Sequence, residues 1–268
     1  MTARYTGDVR FLLCDADGNL FPSEEPAFVA SIGVTNRFLG SLGVRARYTA
    51  EQLRLATTGR NFRTTAVNLA AAHGVRVEPP LVASPEVVPS GCTGTTLTAD
   101  VLDRWVAQEN EVVGDHLGRV LRPDPAVLEP LTRLAGRYPL ALVSSSALSR
   151  VDACLRATGL ADLFPPERRF SAEDSLPRPT SKPDPAVYLH ALAHLGVAAG
   201  HSLAVEDSLP GARSAVAAGV PTLGNLVFVP PDEQGARRTD LTEAGVSAVI
   251  GSWAAVESTL DTRDPAAL

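Results

Sequence analysis

The sequence predicts an α/β protein: a parallel sheet covered on both faces, with a helical block inserted after its first strand. Three observations carry that prediction. The runs Phe11-Leu12-Leu13-Cys14, Leu140-Ala141-Leu142-Val143 and Ser202-Leu203-Ala204-Val205 have no helical period and read as buried strands. From residue 123 onward such runs alternate with helical patterns, the rhythm of a parallel sheet. Residues 22–120, between the first strand and that alternation, are mainly helical in pattern.

Composition narrows the class. With 268 residues, the chain can form one large or two modest domains, each able to bury a core. A net charge of −6 and the lack of a local basic run argue against a nucleic-acid partner. No apolar run approaches the ~20 residues that span a bilayer, so no membrane partner is expected. Residues 1–8 lack the apolar centre of a signal peptide. Cys14, Cys92 and Cys154 are odd in number and widely spaced, which excludes a disulfide framework and a CxxC-type zinc site. The expectation is a cytoplasmic protein. Of the 24 basic residues only one, Lys182, is a lysine, so where it falls becomes a test.

In order, the first strand ends in Asp15 and Asp17, followed by Gly18, a residue suited to a sharp change of direction. Two acids behind a core strand are costly unless something uses their charge. An Asp-Gly hairpin turn is the plain alternative, but Phe21-Pro22-Ser23-Glu24-Glu25-Pro26 is turn and helix-start material, not a second strand. Phe28, Val29, Ile32, Phe38 and Leu39 suit an amphipathic helix. Thr49-Ala50-Glu51-Gln52 has capping-box spacing, and a further helix over residues 62–73 stops at Gly74. Residues 78–98, with Pro79, Pro80, Pro85 and Pro89, read as loop, and residues 98–119 as a long helix.

Asp124-Pro125 opens the next helix, which stops at Gly136 before the strand 140–143. A helix through Val151 and Leu155 reaches Gly159, and Asp184-Pro185 starts another that ends at Gly196. The strand 202–205 precedes a helix over residues 211–218. Residues 221–229 and 246–250 are expected strands, and residues 253–260 a last helix.

Three strands thus finish in polar clusters: Asp15/Asp17, Ser144, and Glu206/Asp207, with Lys182 at a helix start between the last two. Right-handed crossovers bring those ends to one edge of the sheet, where open α/β sheets bind ligands. Each group has a plain alternative: Ser144 as a helix N-cap, Glu206-Asp207 as a solvated loop, Lys182 as a surface residue. Jointly these alternatives are improbable. Clustered carboxylates repel unless a cation neutralises them, and without thiolate or imidazole neighbours a hard ion such as Mg²⁺ is implied. An Asp can attack phosphorus, and a second carboxyl two residues on can protonate the leaving oxygen and then activate water. A serine and a lysine can offset charge on the transferring oxygens.

Asp15-x-Asp17-Gly18-x-Leu20, Ser144 after a strand, Lys182-Pro183-Asp184-Pro185, and Glu206-Asp207-Ser208 with Gly211 and Ala218-Gly219 resemble the four ordered motifs of the haloacid dehalogenase-like superfamily. The nearest likeness is to its phosphatase and β-phosphoglucomutase-like branch. The resemblance implies a Rossmann-like, doubly wound core of residues 1–22 and 115–268 with an α-helical cap of residues 23–114. It implies Asp15 as nucleophile and Asp17 as general acid/base. It makes Ser144, Ser145 and Lys182 phosphate-binding, and Asp15, Asp17, Glu206 and Asp207 ligands of Mg²⁺, with Asp17 contributing its backbone carbonyl. The turn Gly59-Arg60-Asn61 resembles one that such caps aim at the site, so Arg60, Asn61 and Arg63 are candidates for reading the substrate.

The acid at Asp17 favours an oxygen leaving group over dehalogenase or phosphonatase chemistry, and the cap has no lysine for a Schiff base. Related mutases carry a histidine in the first cap helix, where this chain has Ala27. A phosphatase acting on a small phosphorylated metabolite is the first reading. A phosphomutase and a non-catalytic phosphate binder are the alternatives. The chain is expected to be a monomer or small homo-oligomer. Two departures stand out: Asn19 replaces the motif's usual Thr, and Pro22 replaces an often acidic residue at the cap hinge.

Overall fold

The computed structural model describes residues 8–81 and 95–261. Cys92, Pro85 and Pro89 lie outside the described residues, as do residues 1–7 on which part of the leader argument rested. Among the described residues no helix is long and apolar enough to cross a membrane.

Six strands form one parallel sheet: β1 (Phe11–Cys14), β4 (Leu140–Ser144), β5 (Arg169–Ser171), β6 (Ser202–Glu206), β7 (Thr222–Asn225) and β8 (Ala248–Ile250). Their order is β5-β4-β1-β6-β7-β8, which places β1 at the centre between β4 and β6. A short second sheet pairs β2 (Arg76–Val77) with β3 (Thr96–Leu97). Successive side chains of a strand point to opposite faces, so continuous apolar runs serve two cores at once. Leu12, Cys14, Leu140, Leu142, Leu203 and Val205 pack on one face, with Val127 and Leu131 of α5 (Pro125–Ala135), Val151 of α6 (Leu148–Thr158) and Trp253 of α10 (Trp253–Asp261). Leu13, Ala141, Val143 and Ala204 pack on the other, against Val187 and Tyr188 of α7 (Ala186–Leu195) and Ala215 of α8 (Leu209–Ala217). Leu12 and Leu13 have no exposed surface, and each such burial stabilises by about 1.5–3 kcal/mol.

The helical block comprises α1 (Glu24–Ser41), α2 (Ala50–Thr57), α3 (Phe62–Ala72) and α4 (Ala99–Val120). Val34, Phe38, Phe62, Ala66, Leu102 and Val106 build its own core, with Phe38 in edge contact with Phe62. The helix α4 runs unbroken past residue 114, and its Val113 and Leu117 belong to the sheet's core rather than the block's.

Helix starts follow local chemistry. Thr49 and Gln52 form the expected capping box, and Asn61, Thr98 and Asp124 cap α3, α4 and α5 through their side chains. The structure corrects several expectations. Residues 78–98 are not all loop, because β3 falls within them. The strand expected over residues 221–229 is only Thr222–Asn225. Besides the two-residue strand β2 and the single 3₁₀ turns, two elements were not expected: the edge strand β5, whose one strongly apolar residue is Phe170, and α9 (Gln234–Glu243), which buries only Leu241. Neither carries enough apolar residues to show a period.

Candidate active site

The carboxyl ends of β1, β4 and β6 lie side by side because these strands are adjacent and parallel. Asp15, Ser144, Lys182 and Asp207 are therefore brought together, all buried. A cleft enclosing about 710 Å³ of atom-free space is lined by Asp15, Asp17, Ser144, Ser145 and Lys182 from the sheet edge. Ala27 and Ser31 of α1, Arg60 and Glu109 line it from the helical block.

Lys182 is the hub. Its ammonium uses all three donors: 2.5 Å to Oδ1 of Asp15, 2.6 Å to Oε1 of Glu206 and 2.8 Å to the carbonyl of Val143. It also lies 5.3 Å from the centre of the Tyr188 ring. The lone lysine thus sits between two buried carboxylates, and the Lys182–Pro183 peptide is cis. Burial lowers the basicity of Lys182, but Asp15 and Glu206 outweigh this and hold its pKa above the ordinary value.

Asp17 sits among donors. Oδ1 accepts from Ser23 Oγ at 2.5 Å and from Arg150 at 3.4 Å, while Oδ2 accepts from Ser146 Oγ at 2.6 Å. Burial would raise its pKa, yet Arg150 and the two hydroxyls prevail and hold it below the usual carboxylate range. Ser144 is not a helix cap: α6 is preceded by Ala147, and Ser144 Oγ accepts from the amide of Ser146 at 3.0 Å. Ser145 Oγ accepts from the Lys182 amide at 3.2 Å and donates to the Gly59 carbonyl at 3.3 Å, joining sheet edge and helical block. Asn19 sends its amide to the carbonyls of Asp15 and Val205, and its side-chain oxygen accepts from Asn225. That fastens the acidic turn to β6 and β7, so Asn in the place of Thr is a structural brace.

Asp15, Glu206 and Asp207 bring carboxylate oxygens within 4.8 Å of one another. Burial raises the pKa of all three. Glu206 adds to the rise at Asp15 against the pull of Lys182, and Glu24 and Asp15 add to it at Asp207 against Arg237. Oε2 of Glu206 is buried with no hydrogen-bond partner. Two glycines keep this space open. Gly18, at φ +76°, would place a Cβ on Asp207 Oδ2, and a Cβ at Gly211 would fall on Glu206 Oε2. An open oxygen, three crowded carboxylates and an all-oxygen donor set fit a hard divalent cation.

The candidates on the helical block separate. Arg60 is exposed and lines the cleft. Asn61 and Arg63 point elsewhere: Asn61 Nδ2 donates to Glu173 and the Thr180 carbonyl, both at 2.8 Å, and Arg63 bonds Glu173 at 2.6 Å and Asp103 at 2.7 Å. Their polar groups tie the block to the loop after β5, and of the three candidates Arg60 alone is on the cleft lining. Sequence reasoning missed Ser23, Glu109, Ser146, Arg150 and Tyr188. Ser146 stood in the Ser144-Ser145-Ser146 run. The others look like ordinary helix residues until the helices are packed.

Comparison with known proteins agrees with this arrangement. A family model described as haloacid dehalogenase-like hydrolase matches residues 13–219. The plasmid protein CbbY of Cupriavidus necator is 42% identical over 107 residues, which is 40% of this chain and 41% of that protein. A phosphoglycolate phosphatase of Thiobacillus denitrificans is 33% identical over 150 residues, 56% of this chain and 61% of that one. The chain thus aligns with less than two thirds of these relatives' lengths. A solved structure of a CbbY variant from Rhodobacter sphaeroides with xylulose-(1,5)-bisphosphate superposes with a TM-score of 0.61 at 23% identity, covering 92% of this chain and 95% of that one. The sheet order, the four clustered motifs and a family match over more than half its length lead to one conclusion: the chain belongs to the haloacid dehalogenase-like hydrolase family.

Proposed function

We propose that this protein is a Mg²⁺-dependent phosphatase that hydrolyses a small phosphate monoester, of a sugar or an organic acid, through an aspartyl-phosphate on Asp15. The observation supporting it is the grouping of Asp15, Asp17 and Lys182 in one cleft, with the Lys182 ammonium 2.5 Å from Asp15.

Asp15 attacks phosphorus; the Asp15–phosphorus bond forms as the bond to the leaving oxygen breaks. Asp17 gives that oxygen its proton, then takes one from the water that attacks the phospho-aspartate, releasing phosphate and freeing Asp15. Its three donors favour the ionised carboxylate, so the base form prevails in the free enzyme, and protonation accompanies substrate entry. Ser144, Ser145 and Lys182 hold the equatorial oxygens and offset their growing charge. Asp15, Glu206, Asp207 and the Asp17 carbonyl would hold Mg²⁺, which when bound neutralises the carboxylates and polarises the phosphoryl group.

Residues 23–114 form the cap in this reading, with residues 1–22 and 115–268 as the core. Closure over the cleft excludes water, and Arg60 reads the leaving group. Ala27 favours a phosphatase over a mutase: it lines the cleft from α1, at the position where related mutases carry a histidine. A phosphoglycolate phosphatase and a CbbY variant solved with xylulose-(1,5)-bisphosphate among the similar proteins are consistent with a small phosphorylated metabolite. We place the enzyme in the cytoplasm, as a monomer or small homo-oligomer. A phosphate-release screen over a metabolite panel with Mg²⁺ tests the reading. Release supports it, isomerised product without release makes the protein a mutase, and no turnover makes it a binding protein.

A further inference from the structure

Glu109 lies on α4, far in sequence from every motif, yet it lines the cleft and is only 3% exposed. Its carboxyl takes a hydrogen bond from Ser31, while Oε2 is buried with no partner. Arg150, on α6 opposite, also lines the cleft, and its Nε is likewise buried and unpartnered. Buried polar atoms are nearly always satisfied, and leaving one open is costly. Two open atoms of opposite hydrogen-bonding sense in one cleft wall are therefore best explained by a ligand that supplies the missing bonds.

Their place indicates which part of the ligand. Lys182 and Ser144 lie at the phosphoryl end, beside Asp15. Asp17 is the group that meets the leaving oxygen, and Arg150 is bonded to Asp17. Glu109 and Arg150 line the same cleft as Asp17, and the Arg150 charge acts on both acids, so the pair belongs to the wall beside Asp17. A hydroxyl donates and accepts, and so matches both the open carboxyl oxygen and the open guanidinium nitrogen. A carboxylate or a fully ionised second phosphate has no hydrogen to give the open Glu109 oxygen and so matches only the guanidinium. Thr35 and Thr65 add hydroxyls to the same lining.

We infer that Glu109 and Arg150 form a subsite for a hydroxyl of the leaving group, which makes the substrate a sugar or polyol phosphate rather than the phosphate of a carboxylic acid. This inference rests on the phosphatase reading and refines it.

The test compares wild type with Glu109→Leu on a panel of aldose, ketose and polyol phosphates and on phenyl phosphate, whose leaving group has no free hydroxyl. The ratio of kcat/KM for the best panel member to that for phenyl phosphate should fall about tenfold or more, since a site built for a hydroxyl discriminates strongly on it. Equal losses on both substrates would mean a structural role and overturn the inference. Should Glu109→Leu not fold, Glu109→Gln takes its place, with a fall of about threefold expected. Calorimetry in an Asp15→Asn background gives a second readout: Kd for the same sugar phosphate should rise about tenfold with Glu109→Leu. An unchanged Kd, or no binding of any panel member, overturns the subsite. If wild type hydrolyses no ester yet binds a panel member, the phosphatase reading fails and the calorimetry alone decides Glu109.

Discussion

The Tyr188 hydroxyl donates to Oε1 of Glu206, the same oxygen that receives the Lys182 ammonium. Two donors occupy one oxygen, and the other, Oε2, faces Gly211 with nothing bonded to it. In the proposed reading, where Glu206 is a cation ligand, Tyr188 is a positioning residue. Tyr188→Phe keeps the ring over Lys182 and removes only the donor. The Mg²⁺ concentration for half-maximal activity should rise about tenfold, the usual effect of losing a bond behind a metal ligand. A Mg²⁺ titration of initial rates checks this, and an unchanged midpoint assigns Tyr188 to packing alone.

Lys182→Met should destabilise the protein strongly. The side chain is 1% exposed, and its loss leaves Asp15 and Glu206 as adjacent buried carboxylates without a counter-charge. Removing one partner of a buried pair costs about 3–5 kcal/mol. Urea unfolding at neutral pH measures it. Mg²⁺ should return part of the loss without returning turnover.

Stability without metal should fall as pH rises. Asp15 and Asp207 have pKa values well above the ordinary 3.8, and Glu206 lies above 4.5, so the folded state binds protons that the unfolded chain has released. Raised groups contribute stability that is present below the unfolded values and is lost as pH climbs through the folded ones. In EDTA the melting temperature should therefore decline from about pH 4 upward, and Mg²⁺ should flatten that decline. A metal-free protein whose melting temperature holds steady toward neutrality would contradict the cation site.

Asp15→Asn should abolish turnover while leaving a folded protein, because it removes a buried charge without changing shape. In EDTA at neutral pH its melting temperature should match or exceed that of wild type. Retained activity would remove Asp15 from the role of nucleophile.

Arg60 and Arg63 should behave as opposites despite their closeness in sequence. Arg60→Ala should raise KM for the physiological substrate more than for phenyl phosphate, with little change in stability. Arg63→Ala should cost about 1–3 kcal/mol, because Glu173 is buried and loses its cation. Paired kinetics and urea unfolding separate the two effects.

The core strands, the carboxylates behind β1 and β6, and the capped starts of α2 and α5 were all legible in the chain. Each is a local matter: an apolar run without helical period, a polar break, a side chain one turn from a free amide. Lys182 was legible for another reason, as the one lysine among arginines. β5 and α9 were not legible, since each gains its place from neighbours rather than from its own pattern. Nor were Tyr188, Arg150 and Glu109, which look like ordinary helix residues in sequence and meet the acidic turn only when α7, α6 and α4 are packed. Asn61 and Arg63 show the converse, plausible substrate readers whose bonds the packing directs to Glu173. The sequence by itself determined the central strands of the sheet, the order of the motifs and the charge that must be neutralised, because strand period and residue type are local. Which helix residues face that charge was decided only by tertiary structure, because a helix's rotation about its axis is set by the surfaces it packs against.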